Sequence, residues 1–282
     1  MLHYLNEGLL PKVINIELTN KCNLVCKMCY RNEMEYPEGS MDIRLFDYII
    51  KKIKDEKLIL KKVYLHWRGE PLLVDYVPYA IEQIKTNLDT KVILFTNGTL
   101  LDNKLAEAVI RADPDLVSFS MDANSSETYK NIRGYNAIDI VKENMLDFLS
   151  LRQLIGSDVK VNINTVLLSE NWFELRELVA AWERKVDKII IKENAMRGNQ
   201  EFKTRNDEEY CPWPFEILYI AWNGFCFPCC MDVKGTTNLG HIQSSSFKSI
   251  WNRHAIVTLR KAFTSKEELA PLCKGCSRVL SD

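Results

Sequence analysis

The placement of the cysteines constrains this chain more than any other feature. They are Cys22, Cys26, Cys29, Cys211, Cys226, Cys229, Cys230, Cys273 and Cys276, and the 181 residues between Cys29 and Cys211 contain none. Thiols used as core filler would scatter along the chain. Their number is odd and the chain is long, at 282 residues. The N-terminal stretch has no basic n-region, and Glu7 interrupts its apolar run, so it does not read as a secretory signal. Together these facts argue against a disulfide framework and for metal or redox chemistry at both ends of the sequence.

Composition narrows the partners. Lys and Arg total 37 against 38 Asp and Glu, a formal net charge of −1, so no strong field draws in nucleic acid or an anionic membrane. A hydrophobic content of 46% is enough to bury a large core. No apolar run approaches the roughly 20 residues that a membrane-spanning helix needs. The cytoplasm is the expected location.

From residue 12 to about 193, short apolar runs alternate with helical patterns. Strands are expected at Lys12–Leu18, Lys62–Trp67, Lys91–Phe95, Asp115–Ser120, Lys160–Leu167 and Lys188–Glu193. Most are rich in Val, Ile and Leu with little polar alternation, as in strands buried on both faces. Ile43, Phe46, Ile49, Ile50 and Ile53 follow helical spacing, and Leu105, Ala108, Val109 and Ile110 roughly do so. Ser169 is expected to cap a helix near Trp172–Trp182, and Asn136 one that starts near Ile138. Six such βα units imply an α/β fold with a parallel barrel or open sheet, its active site on the rim at the strand C-termini. Six units fall two short of a closed barrel and leave a lateral opening.

Composition shifts near residue 198. Gly198–Tyr210 is polar and reads as a connector. Beyond it, Asn223-Gly224 between two apolar runs signals a hairpin, Phe215–Trp222 with Phe225–Cys229. A helix near Phe247–Phe263 and a terminal Cys pair follow. Residues 1–198 and 199–282 therefore read as two domains, the second too small to hold itself without a metal staple or docking.

Cys22, Cys26 and Cys29 form Cys-x3-Cys-x2-Cys just after the first strand. Three thiolates on one tight loop can ligate three irons of a [4Fe–4S] cube and leave the fourth open. An open coordination position is what a catalytic metal needs. A zinc site that borrows a distant fourth ligand is the competing reading.

At this point the chain resembles the radical S-adenosylmethionine (SAM) enzymes. His66-Trp-Arg-Gly69-Glu70-Pro71 is similar to the family's Gly-Gly-Glu-Pro motif, with Arg68 in place of the first glycine. Thr96-Asn97-Gly98, Ser120-Met121-Asp122 and the Arg133-Gly134 pair complete the resemblance. It implies a partial (β/α)6 TIM-like barrel with Cys22, Cys26 and Cys29 as cluster ligands. It also implies that Gly69, Glu70, Asn97, Ser120, Asp122 and Arg133 lie around SAM. In such enzymes the reduced cluster cleaves SAM to a 5′-deoxyadenosyl radical, which takes a hydrogen atom from substrate. An external one-electron donor such as flavodoxin or ferredoxin is implied as a partner.

The C-terminal cysteines resemble a twitch domain, the shortened form of the SPASM auxiliary-cluster domain. By that resemblance Cys211, Cys229, Cys273 and Cys276 bind a second [4Fe–4S] cluster. A four-thiolate zinc site is the competing reading. Cys226 and Cys230 are left over; they read either as buried packing or as a hydrogen-atom donor to a substrate radical. His66 reads as a rim histidine, and Arg197 as a group that orients or deprotonates substrate.

The architecture is similar to that of enzymes such as 2-deoxy-scyllo-inosamine dehydrogenase, which implies oxidation of a secondary alcohol on a small polar substrate. Epimerisation through Cys226 or Cys230 and modification of a ribosomal peptide are the alternative enzyme readings. With the first strand starting near residue 12, no N-terminal leader-binding domain is expected, which favours the small substrate. A zinc-binding interaction module is the non-enzymatic alternative.

Overall fold

A computed structural model describes residues 10–193, 211–264, 270–273 and 276. Its centre is one eight-stranded sheet in the order β6-β5-β4-β3-β2-β1-β7-β8. The strands are β1 (Val13–Ile16), β2 (Lys62–Tyr64), β3 (Lys91–Thr96), β4 (Leu116–Ser120), β5 (Lys160–Leu167), β6 (Lys188–Glu193), β7 (Ile217–Ile220) and β8 (Cys226–Phe227). β1 to β6 pair in parallel in chain order, so all six expected strands form. All four residues of β1 are buried, which explains its unbroken apolar run.

Helices α1 (Ile43–Asp55), α2 (Val77–Asn87), α3 (Asn103–Arg111), α4 (Ser126–Arg133), α5 (Ile138–Ile155) and α6 (Leu175–Trp182) connect these strands. α1 buries Phe46, Ile49, Ile50 and Ile53, while Asp42 caps it by accepting from the Arg44 amide. Neither cap expected from the sequence at α5 or α6 forms. The Ser169 hydroxyl donates to Glu170 instead, at 2.8 Å. α6 starts later because the Asn171 side chain accepts from the Leu168 amide and holds a turn there. At α5 the N-cap is Ala137, not Asn136. The helix expected over residues 247–263 is two, α8 (Phe247–Trp251) and α9 (His254–Thr264), preceded by the short α7 (Trp213–Glu216). Among the described residues, no helix is long and apolar enough to cross a membrane.

The hairpin after Cys211 joins the barrel sheet itself. β7 pairs in parallel with β1, Val13 opposite Ile217 through Ile16 opposite Ile220, and β8 returns antiparallel. Leu218, Ile220, Cys226, Phe247, Ile250 and Trp251 belong to the same hydrophobic core as Ile14, Ile16 and Leu18. The C-terminal segment thus docks on the β1 edge, so the lateral gap expected for six strands is covered on that side.

A buried ion pair reinforces this docking. Glu17, just past β1, accepts from Arg68 Nε at 2.8 Å and Nη2 at 2.6 Å, and both side chains are essentially inaccessible. Arg68 Nη1 also donates to the Val233 carbonyl at 3.2 Å, and the Trp222 amide donates to Glu17 at 3.2 Å. The guanidinium lies 3.9 Å from the Trp67 ring centroid and 4.4 Å from that of Tyr36.

Two outcomes follow from this packing. Ile220→Ala should cost about 2–5 kcal/mol and lower the urea midpoint in one cooperative transition. A separate early transition for the C-terminal segment would contradict the shared core. Arg68→Gly should cost about 3–5 kcal/mol by leaving Glu17 buried and unpaired. The double variant Glu17→Leu, Arg68→Met should lose less than either single change, as read by the same unfolding curves.

Candidate active site

The cysteine loop is shaped by the segments packed around it. The Cys29 amide donates to the Cys26 carbonyl at 3.1 Å, which makes a tight turn, and Asn32 donates to that carbonyl at 2.9 Å. The Lys27 amide donates to the Ile132 carbonyl at 2.8 Å and the Val25 amide to that of Arg133 at 3.3 Å. Gly134 ends α4 with φ +80°, and a Cβ there would sit 2.9 Å from the Val25 carbonyl oxygen. The Arg-Gly segment is therefore a buttress of the loop, and Arg133 Nη1 reaches Cys26 Sγ at 3.7 Å.

Gly69 approaches the same loop from β2. A Cβ there would lie 2.4 Å from the Thr19 carbonyl oxygen and 2.5 Å from that of Lys21, so only glycine fits. Glu70 follows, its amide donating to Lys21 at 2.8 Å. Its carboxylate accepts from the Leu72 amide, the Thr96 hydroxyl and the Asn97 amide at 3.1, 2.7 and 2.7 Å. Burial pushes this carboxyl up to about 7, against the pull of those donors. Glu70 thus ties the β2 loop to the end of β3. Asn97 in turn donates to Asn23, between Cys22 and Cys26, at 2.9 Å.

Ser120, Asp122 and Arg133 meet in one cavity of about 360 Å³, which Cys26 and Cys29 also line. Asp122 and Arg133 form a buried ion pair at 2.5 Å, and β5 contributes Asn164 and Thr165 to the wall. Arg133 Nε and Asn164 Oδ1 are buried there without a hydrogen-bond partner. Polar atoms left incomplete in this way fit a polar, charged occupant. Burial pushes the Cys22 thiol up to about 11 and raises that of Cys26, so a bound metal is what would hold them as thiolates. The donor set and the orphaned polar atoms both fit an iron–sulfur cluster with a zwitterionic sulfonium nucleoside beside it.

Cys230, Met231 and Val233 form another part of the same wall, with Tyr30, Trp67 and Arg68. Trp67 is anchored by its indole N–H, which donates to the Cys230 carbonyl at 2.9 Å. Behind this wall Cys211, Cys229, Cys230, Cys273 and Cys276 gather in one cluster with Phe215, Met231, Phe263 and Tyr30. All four expected auxiliary ligands are therefore together, and Tyr30 links them to its neighbour Cys29. Burial pushes the Cys211 thiol up to about 12.

The two leftover cysteines separate. Cys226 is fully buried in the main core and does not line the cavity, and burial raises its thiol. Cys230 faces the cavity. Arg197 lies outside the described residues. Sequence reasoning passed over Glu17, Tyr30, Trp67 and Asn164. Of these only Glu17 left a trace, as an acidic residue at the end of an apolar strand.

Comparison with known proteins agrees with this geometry. The Radical SAM superfamily model matches residues 16–181, and the SPASM iron–sulfur cluster-binding domain matches residues 211–277. The chain is 22% identical over 316 aligned positions to a tungsten-containing aldehyde ferredoxin oxidoreductase cofactor-modifying protein of Pyrococcus furiosus, covering 94% of this chain and 87% of that one. It is 27% identical over 255 to a probable GTP 3′,8-cyclase of Methanocaldococcus jannaschii, covering 77% and 84%.

Its fold is similar to that of BtrN in complex with AdoMet and 2-DOIA, with TM-score 0.62, 17% identity and coverage of 95% and 93%. It is also similar to native anSMEcpe with bound AdoMet, with TM-score 0.72, 18% identity and coverage of 95% and 88%. Streptococcus suis SuiB bound to the precursor peptide SuiA matches at TM-score 0.71 and 15% identity over 99% and 72%. Enzymes of this superfamily require SAM and a [4Fe–4S] cluster, and the SPASM domain indicates auxiliary iron–sulfur binding. The chain belongs to the radical SAM superfamily, and its C-terminal segment is a SPASM iron–sulfur domain.

Proposed function

We propose that the chain oxidises a secondary alcohol of a small polar, sugar-like or aminocyclitol-like substrate. One observation carries this reading: a single cavity is lined by Cys26 and Cys29 on one wall and by Cys230 and Met231 on another. Oxidising an alcohol requires removal of a hydrogen atom and then of a proton and an electron. Cys22, Cys26 and Cys29 would hold the catalytic cluster, and Cys211, Cys229, Cys273 and Cys276 an auxiliary one that can receive the electron. Bound SAM and the reduced catalytic cluster supply the hydrogen-abstracting radical. Gly69, Glu70 and Asn97 do not line that pocket but brace the cysteine loop, while Ser120, Asp122 and Arg133 face it. The external electron donor would be a flavodoxin or ferredoxin, and Arg197 remains a proposed substrate-orienting residue.

The position of Cys230 favours a second reading, radical epimerisation with its thiol as hydrogen-atom donor. In deuterated water, epimerisation places deuterium on the product carbon and oxidation does not. Cys230→Ala should abolish that incorporation if the second reading holds. The relatives act on chemically unlike molecules, as their names show. The direct test of class is therefore an anaerobic 5′-deoxyadenosine assay against aminocyclitols, nucleotide sugars and peptides. Stimulation by peptides alone refutes the small-substrate reading.

Replacing Cys22, Cys26 and Cys29 by Ala should abolish reductive SAM cleavage while leaving about four of about eight irons per chain. Retained cleavage would remove this loop from the mechanism. Replacing Cys273 and Cys276 should remove the other four and lower the unfolding midpoint.

A further inference from the structure

Beyond the expected SAM contacts and Asn164, the described cavity wall holds one more incompletely bonded polar side chain. His66 lies two residues past β2 and lines the cavity, and its Nδ1 is buried with no hydrogen-bond partner. The ring is held from two sides: Phe95 lies against it with centroids 4.3 Å apart, and Tyr64 meets it edge-on at 5.7 Å. The residues that follow are equally constrained, Trp67 by the Cys230 carbonyl and Arg68 by Glu17. This is a preorganised ring rather than a mobile rim side chain. Burial, aided by the charge of Lys192, pushes the imidazole down to about 3, which favours the neutral ring.

A neutral imidazole has one donor and one acceptor nitrogen. A carboxylate can satisfy only the donor and an ammonium only the acceptor. A hydroxyl can satisfy either, so it suits this ring in both tautomers. His66 sits on the β2–β3 side of the cavity, whereas Ser120, Asp122 and Asn164 come from the β4–β5 side. On the reading of Ser120 and Asp122 as SAM contacts, His66 therefore lines the cavity from strands other than theirs.

We propose that His66 is a substrate-binding residue whose imidazole hydrogen-bonds a hydroxyl group of the substrate, with the aromatic rings of Phe95 and Trp67 walling that subsite. This rests on the reading of the substrate as a small polyol-like molecule and names the residue that recognises it. The sequence alone left His66 as a rim histidine; its enclosure by Tyr64 and Phe95 inside the cavity changes that.

The test uses the anaerobically reconstituted holoenzyme with SAM, crystallised once with 2-deoxy-scyllo-inosamine and once with glycerol. Glycerol probes the hydroxyl subsite whatever the true substrate is. A probe hydroxyl within about 2.6–3.2 Å of a His66 ring nitrogen supports the assignment. A SAM atom or a protein group on that nitrogen overturns it, as does a probe seated elsewhere or an empty cavity. In solution, His66→Phe should weaken aminocyclitol binding by at least about tenfold by equilibrium dialysis, and His66→Asn, which keeps a donor and an acceptor, should recover part of it. Unchanged binding in His66→Phe overturns the proposal. If a probe hydroxyl sits on His66 but no aminocyclitol is turned over, the alcohol-oxidation reading fails while the assignment of His66 stands.

Discussion

The contact on which the site depends is the buried ion pair between Glu17 and Arg68. Taking two charges out of water is costly unless every hydrogen-bonding position is used. Here three Arg68 donors and both Glu17 oxygens are engaged, and two aromatic faces cover the guanidinium. The pair joins the end of β1, the loop after β2 and the segment around Val233. It therefore ties the barrel rim to the SPASM domain. The substitution of arginine for the usual glycine of the motif is thus a structural clasp rather than a damaged motif.

What the clasp holds in place is the cavity wall. Trp67 is the neighbour of Arg68, and its indole hydrogen bond to the Cys230 carbonyl ties the C-terminal cysteine cluster to the barrel mouth. On the other side, Gly69 and Gly134 press the β2 and α4 loops against the cysteine loop. Both glycines serve close approach, so the space around Cys22, Cys26 and Cys29 is shaped by backbone. Backbone walls are stiffer than side chains, which suits a site that must exclude water around a reactive radical.

The buried thiols add a thermodynamic coupling. Burial raises Cys22, Cys26 and Cys211, so these groups are ill-suited to be bare thiolates. A metal bound there would displace protons and would add to the stability of both cysteine-bearing segments. For the SPASM domain this adds to the β1–β7 pairing, which already anchors it to the barrel.

Local pattern was enough for the six parallel strands and for the class of chemistry. Runs such as Val13–Ile16 and Lys160–Leu167 announce buried parallel strands, because apolar side chains must leave water on both faces. Three cysteines on one short loop announce a cluster, because ligand spacing is a property of local sequence. The same pattern missed at Ser169, where the neighbouring Glu170 takes the hydroxyl, and at Asn136, where the N-cap is one residue later, at Ala137. Long-range pairing was invisible in the sequence: that β7 would lie on β1, that Arg68 would find Glu17 across 51 residues, and that Cys230 would face the cavity while Cys226 would not. Residue types and spacings determine which chemistry a chain can perform. Which groups meet in one cavity is decided only when strands far apart in sequence are placed side by side, since burial and partnership belong to the packed whole and not to any segment of it.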